Sequence, residues 1–250
     1  MTAAAPETTG FGRFLRRGRS RLLLWADADY RRAGWRLLAV GIKGHFGVRV
    51  LAALALLAVV GAWAAWNTVD SAADGYTLLL RLFGVAGLLG GATLYAADQR
   101  QGTFELLWLA MGSRRELLRG KAATLLFGLG LLMAPSVAVM SWFLYGNLPA
   151  VKAFLFLLST VWFVIGLVAL AGTFLPQAWA GGLLGAAAVG GLYAVLGDTT
   201  LIFNVFLNPM AGGAEPLAGG LLFWNRVVTV AFGFWLLNLA SRRLGRALSA

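Results

Sequence analysis

A chain of 250 residues that is 60% hydrophobic and only 12% charged, with a mean hydropathy of +0.77, exceeds the apolar content of a soluble domain. Soluble chains carry about 25% charged and about 45–50% apolar residues. With no cysteine and one histidine, His45, a disulfide framework, a thiolate metal site and a paired-histidine motif are excluded. The net charge of +11 is large, and its placement along the chain is informative.

The N-terminal 1–45 is basic. RFLRRGRSR is followed by only Leu22–Trp25 before Asp27 and Asp29, too short an apolar run for a cleaved signal. Over 26–45, Ala26, Tyr30, Ala33, Leu37 and Ile42 form an apolar side beside Arg31, Arg32, Arg36 and Lys43, the pattern of a helix lying in the membrane interface. The expected fold class is therefore an all-α integral membrane protein with six transmembrane helices, occupying 46–240, and this interfacial helix before them. A crossing needs about 20 apolar residues. The six stretches that meet this are Phe46–Trp66, Tyr76–Ala97, Ala122–Gly146, Ala153–Gly172, Ala178–Gly197 and Gly220–Ala240. Continuous runs such as LAALALLAVVGAWAAW lack the alternation of a barrel strand. Between the last two stretches, 198–219 is an outer, re-entrant-like segment; 241–250 is a short basic tail.

Charge sets the expected orientation, since Lys and Arg concentrate in cytoplasmic loops. With both termini cytoplasmic, 18 of the 21 basic residues lie inside: those of 1–49, of Asp98–Lys121 and of the tail. Lys152, Asp70, Asp74, Asp198 and Glu215 lie outside. Topology and anionic headgroups account for the positive charge, so no nucleic-acid partner is expected. Trp63, Trp66, Trp142 and Trp224 mark the outer interface and Trp25, Trp35, Trp108 and Trp179 the inner one, whereas Trp162 and Trp235 are read as packing residues.

All ten acidic residues fall outside the apolar stretches, which disfavours an ion-coupled carrier. Ser136, Ser141 and Ser159 have no histidine or carboxylate nearby in the spans to activate them, so hydrolysis is not expected. Gly120-Lys121 is no phosphate loop, because Arg115 and Ala122 break G-x-x-x-x-G-K-[ST]. The chain is expected to be no enzyme by itself, with no bound metal or cofactor. Arg81 and Arg226 lie about five residues, roughly 8 Å, inside the outer ends of their spans. They are expected to snorkel to headgroups, in which case Lys at either position preserves function; the alternative is a shared cavity contacting an anionic cargo, with Asn204, Asn208 and Asn225 adding polar contacts. Gly87 with Gly91, and Gly181 with Gly185, each form G-x-x-x-G, read as packing within the chain.

The cytoplasmic segment 98–121, DQRQGTFELLWLAMGSRRELLRGK, is the most informative. Phe104, Leu107, Trp108 and Met111 share one helix face. Gly112 stops that helix, and Ser113 with Glu116 forms a capping box for a second helix running from Arg114 into the third span. The order Gly102-Thr103-x-Glu105-Leu106-Leu107, then Ser113-Arg114-x-Glu116-Leu117-x-x-Gly120-Lys121, resembles the first cytoplasmic loop of type-2 ABC exporter permeases. The match extends to the interfacial helix, the six spans and the Asn208-Pro209 pair. Trp108-Leu109-Ala110-Met111 departs from the small residue and proline frequent there.

This resemblance implies a coupling helix that docks on a partner ATPase through Phe104, Glu105, Leu107, Trp108, Met111, Arg114, Arg115 and Glu116. It implies the transmembrane subunit of an ATP-driven exporter in a bacterial inner membrane. Two ATPase subunits, holding ATP and magnesium, and a second copy or related permease would complete it. It further implies short re-entrant helices within 198–219. A non-transporting membrane assembly or scaffold protein is the alternative reading.

Overall fold

The computed structural model describes residues 69–94, 114–175, 178–196, 202–211 and 219–247. The chain divides into two units, Met1–Gly44 and His45–Ala250, and all described residues belong to the second. The interfacial helix, the first expected span and the loop residues Phe104, Glu105, Leu107, Trp108 and Met111 lie outside the described set.

Five helices account for nearly all of it: α1 (Ala72–Thr93), α2 (Arg114–Phe143), α3 (Ala150–Gly172), α4 (Ala178–Leu196) and α5 (Gly219–Ala247). They correspond to the second through sixth apolar stretches. Four are long and apolar enough to cross a membrane; the apolar part of α4, Ala180–Leu196, is shorter. The described residues contain no strand.

Local chemistry explains the ends. At α1, the Ser71 hydroxyl accepts from the Asp74 amide at 3.2 Å and donates to the Asp74 carboxylate at 2.6 Å. The cap thus starts α1 four residues before the apolar run, and the carboxylate faces the positive end of the helix dipole. The described part of α2 runs from Arg114 for 30 residues, through Pro135; the expected cap Ser113 lies outside the described residues. Where α2 ends, the Gly146 amide donates to the Ser141 carbonyl at 2.8 Å and the Tyr145 amide to the Trp142 carbonyl at 3.0 Å. This closure puts Tyr145 at φ 53° and Gly146 at φ 82°. A left-handed conformation suits glycine and strains a tyrosine. With Tyr145 95% exposed, it loses little packing on removal. Tyr145→Gly is therefore expected to be neutral or mildly stabilising, whereas Gly146→Ala costs about 1 kcal/mol, measured by thermal unfolding in detergent.

Helix contacts give the topology. Gly87 of α1 faces Val161 and Val164 of α3, and Gly91 faces Ile165 and Val168, so the two helices run in parallel. Gly75 faces Met140 of α2 and Leu144 just beyond it, while Gly90 faces Leu125, so that pair is antiparallel. Likewise α4 opposes α3, with Gly181 on Gly172 and Gly185 on Val168. The α3–α5 pair is parallel: Arg226 meets Phe156 and Thr160, and Gly233 meets Gly166. The direction alternates along the chain, as successive membrane crossings require. Both glycine pairs thus pack within the chain, as expected from their spacing.

The hub is α3. Every residue from Ser159 through Gly166 is buried, more than two full turns, so neighbours surround it. It packs against all four other helices. At the α3–α5 crossing, a Cβ on Gly166 would stand 2.9 Å from the Gly233 carbonyl oxygen, so the backbones meet without side chains between them. Trp162 is 5% exposed and packs edge-on against Phe234, as a packing residue should. Trp235 differs from expectation at 55% exposed, on the outside of the bundle. Phe127, Leu131, Val139, Leu183 and Phe223 are exposed there too. Hydrocarbon takes the place of water around these side chains, and burying them inside gains little when the solvent is itself apolar.

Candidate functional site: a buried polar network at one end of the bundle

Residues 202–211 fold as turns over the bundle end that carries the N-termini of α1, α3 and α5. The expectation of re-entrant helices is not met in this stretch. Two asparagines divert the backbone instead. The Asn204 Oδ1 accepts from the Phe206 amide and the Asn208 Oδ1 from the Met210 amide, both at 2.9 Å. Such turns replace the next helical hydrogen bond, and Pro209 supplies no donor. Val205, Phe206 and Leu207 point inward at 2–5% exposed.

A turn in this position leaves backbone carbonyls without helical partners, and in a membrane protein each must find one. Side chains of α3 and α5 supply donors to these carbonyls, and a side chain of the turn segment bonds to α1. The Asn225 amide of α5 donates to the Ile202 and Asn204 carbonyls, both at 2.8 Å. The Thr160 hydroxyl of α3 lies 2.8 Å from the Val205 carbonyl. The Asn208 amide reaches α1, donating to the Ala73 carbonyl at 3.0 Å and to the Thr77 hydroxyl at 3.1 Å. Lys152 Nζ, in the first turn of α3, donates to the Pro209 carbonyl at 3.3 Å. The asparagines read from the sequence as polar groups for a cargo thus hold the turn segment in place.

Arg226 completes the network. Its Nε donates to Asn225 Oδ1 at 2.8 Å, and Nη2 donates to the same oxygen. Its Nη1 is within 3.0–3.1 Å of the Phe156 carbonyl, the Ser159 hydroxyl and the Thr160 hydroxyl. The guanidinium carbon lies 4.2 Å from the Phe156 ring centroid. No carboxylate is among these partners. The charge is held by neutral dipoles and a ring face, an arrangement that costs more than an ion pair and needs every contact. Beside it, the Tyr76 hydroxyl is fully buried, within electrostatic reach of Arg226 and next to Thr160.

The other expected site residues are placed differently. Arg81 is exposed on α1 and takes no part in the network around Arg226. Arg114, Arg115 and Glu116 begin α2, where the description extends to the backbone only. Among the described residues no group of three or more His, Asp or Glu could hold a metal. Sequence reasoning had singled out neither Tyr76, Thr160 nor Lys152. The adjacent Asn225-Arg226 pair, polar within an apolar run, was the available signal for the network.

Long apolar helices in alternating directions, a hub helix buried all round over Ser159–Gly166 and an apolar exterior define a multi-pass, all-α membrane protein. No family model, curated protein or solved structure matches the chain.

Proposed function

We propose that the chain is the transmembrane subunit of an ATP-driven ABC exporter in a bacterial inner membrane. It has six spans, cytoplasmic termini and a coupling helix within 98–121. The observation that carries the reading is the continuity of α2. This helix runs unbroken from Arg114, inside the loop motif, to Phe143. At about 1.5 Å per residue it is a rod roughly 45 Å long. A displacement of its loop end is delivered to the opposite end of the bundle, because α2 packs along α1, α3 and α5.

In this reading, two ATPase subunits bind ATP and magnesium, close on each other and push the face formed by Phe104, Leu107, Trp108 and Met111. Glu105 and the charges of Arg114, Arg115 and Glu116 sit at its rim. The helices then rock between inward- and outward-facing packings. The polar network under 202–211 would be the outer closure, and a second copy or related permease completes the path. Two close-packed glycine contacts, Gly166 on Gly233 and Gly181 on Gly172, suit a hub against which neighbours slide.

The direct test is co-expression with a phosphate-loop ATPase encoded beside this chain, followed by co-purification and ATP hydrolysis assays. Stable binding and a change in hydrolysis support the exporter; a chain that purifies without any ATPase supports the scaffold reading. Topology is tested on a clean background, since the chain contains no cysteine. Cysteine at Asn67 or Ala211 is expected to react with an impermeant thiol reagent added outside, and cysteine at Ser113 is not. Labelling of Ser113 from outside would invert the map.

A further inference from the structure

On the surface of α3 near its N-terminus, Pro149, Ala150, Val151, Lys152, Leu155 and Phe156 line an open hollow of about 580 Å³. Its walls are apolar, with Val151 75% and Leu155 56% exposed. One lysine is among its lining residues, and a buried guanidinium lies behind the Phe156 wall. Lys152 uses one ammonium hydrogen on the Pro209 carbonyl at 3.3 Å, leaving two donors. Phe156 follows Lys152 by one helical turn on the same face, and its ring carries the Arg226 guanidinium at 4.2 Å. Pro149 and Ala150, at the N-terminus of α3, line the same hollow. Pro149 provides no side-chain cap there, so the first-turn amides add positive potential.

We propose that this hollow binds a single anionic phospholipid. Its phosphate lies against Lys152 and the first turn of α3, with Arg226 reinforcing the potential from behind Phe156. Its chain lies on Val151 and Leu155. Charge complementarity selects this occupant: two cations, neither with a carboxylate partner among the described residues, border an apolar surface. Depth agrees. Lys152 is the third residue of α3 and Arg226 lies two turns into the described part of α5, so at 1.5 Å per residue they lie about 3 Å and at least about 10 Å from their helix starts. That range covers the boundary between headgroup and hydrocarbon. A neutral peptide or a second apolar helix would leave both charges unanswered. The site is independent of the exporter reading, because it requires only that the helix ends lie in a bilayer.

Lipid retention on the purified chain tests it, read by native mass spectrometry during titration with phosphatidylglycerol. Wild type is expected to retain one tightly held lipid that Lys152→Gln binds about tenfold more weakly. Val151→Trp, which keeps the charge and fills the hollow, is expected to lose the same lipid. Arg243→Gln is expected to bind like wild type, since this residue lies on the Phe174 ring, far along α5 from Arg226. Phosphatidylcholine, with the same chains but no net charge, is expected to bind less tightly. Inorganic phosphate at millimolar concentration is expected not to compete. Unchanged retention in both Lys152→Gln and Val151→Trp would overturn the proposal. Effective competition by inorganic phosphate would also overturn it, by revealing a site for a free anion. Thermal unfolding of each variant without added lipid identifies any loss that comes from misfolding.

Discussion

Asn225→Ala is expected to destabilise the protein by about 3–5 kcal/mol, because it removes one side chain on which three separate groups depend. The Ile202 carbonyl loses its donor, the Asn204 carbonyl is left with the Leu207 amide alone, and Arg226 loses the oxygen that accepts from Nε and Nη2. Asn225 is fully buried, so water cannot replace the lost bonds at low cost. At about 2–4 °C per kcal/mol for a chain of this size, the thermal midpoint in detergent falls by roughly 6–20 °C. Asn238→Leu, on the same helix, is the contrast. The buried Asn238 Oδ1 has no partner, so an apolar replacement of similar volume costs little. Arg226→Lys is expected to behave like a milder Asn225→Ala, since one ammonium cannot reach Asn225 and the Phe156, Ser159 and Thr160 oxygens together. Arg81→Lys, at an exposed position, preserves stability and function. An Asn225→Ala midpoint within 2 °C of wild type would show that the network contributes no stability.

Trp108→Ala is expected to weaken ATPase association by at least about tenfold, and more than Glu105→Ala does. A large aromatic at the centre of a contact contributes about 2 kcal/mol or more, while a rim charge is partly satisfied by water. Neither residue belongs to an apolar span, so both variants insert normally. The measurement is the ratio of ATPase co-purified with each variant, together with ATP hydrolysis by the complex. Full binding and activity in Trp108→Ala would mean that the face of Phe104, Leu107, Trp108 and Met111 rests on lipid. The coupling reading would then lose its main support.

These two experiments probe features that were legible to different degrees. The run of α3 was plain from its residues, because a helix surrounded by neighbours needs no polar face. The start of α2 was equally plain, since Ser113 and Glu116 carry their meaning within one turn of chain. The start of α1 was misplaced toward Tyr76, because hydropathy ignores the Ser71–Asp74 cap that adds a further turn. Arg81 and Arg226 looked alike, with the same charge at the same depth.

Composition, apolar run length and charge determined the class of this protein: all helical, crossing a membrane, apolar outside as well as inside. These are sums over short windows, and the bilayer enforces them on each segment separately. The tertiary structure alone decided which residues meet. It turned Arg226 inward onto Asn225, Ser159 and Thr160 while leaving Arg81 exposed, and it placed Asn208 on Ala73, 135 positions away in the chain. It also made 202–211 a buried turn segment rather than helix. The physical reason is shared. In a medium without water every stray carbonyl and charge must find a partner in the protein, and partners brought together by the packing of separate helices leave no periodic trace in the sequence.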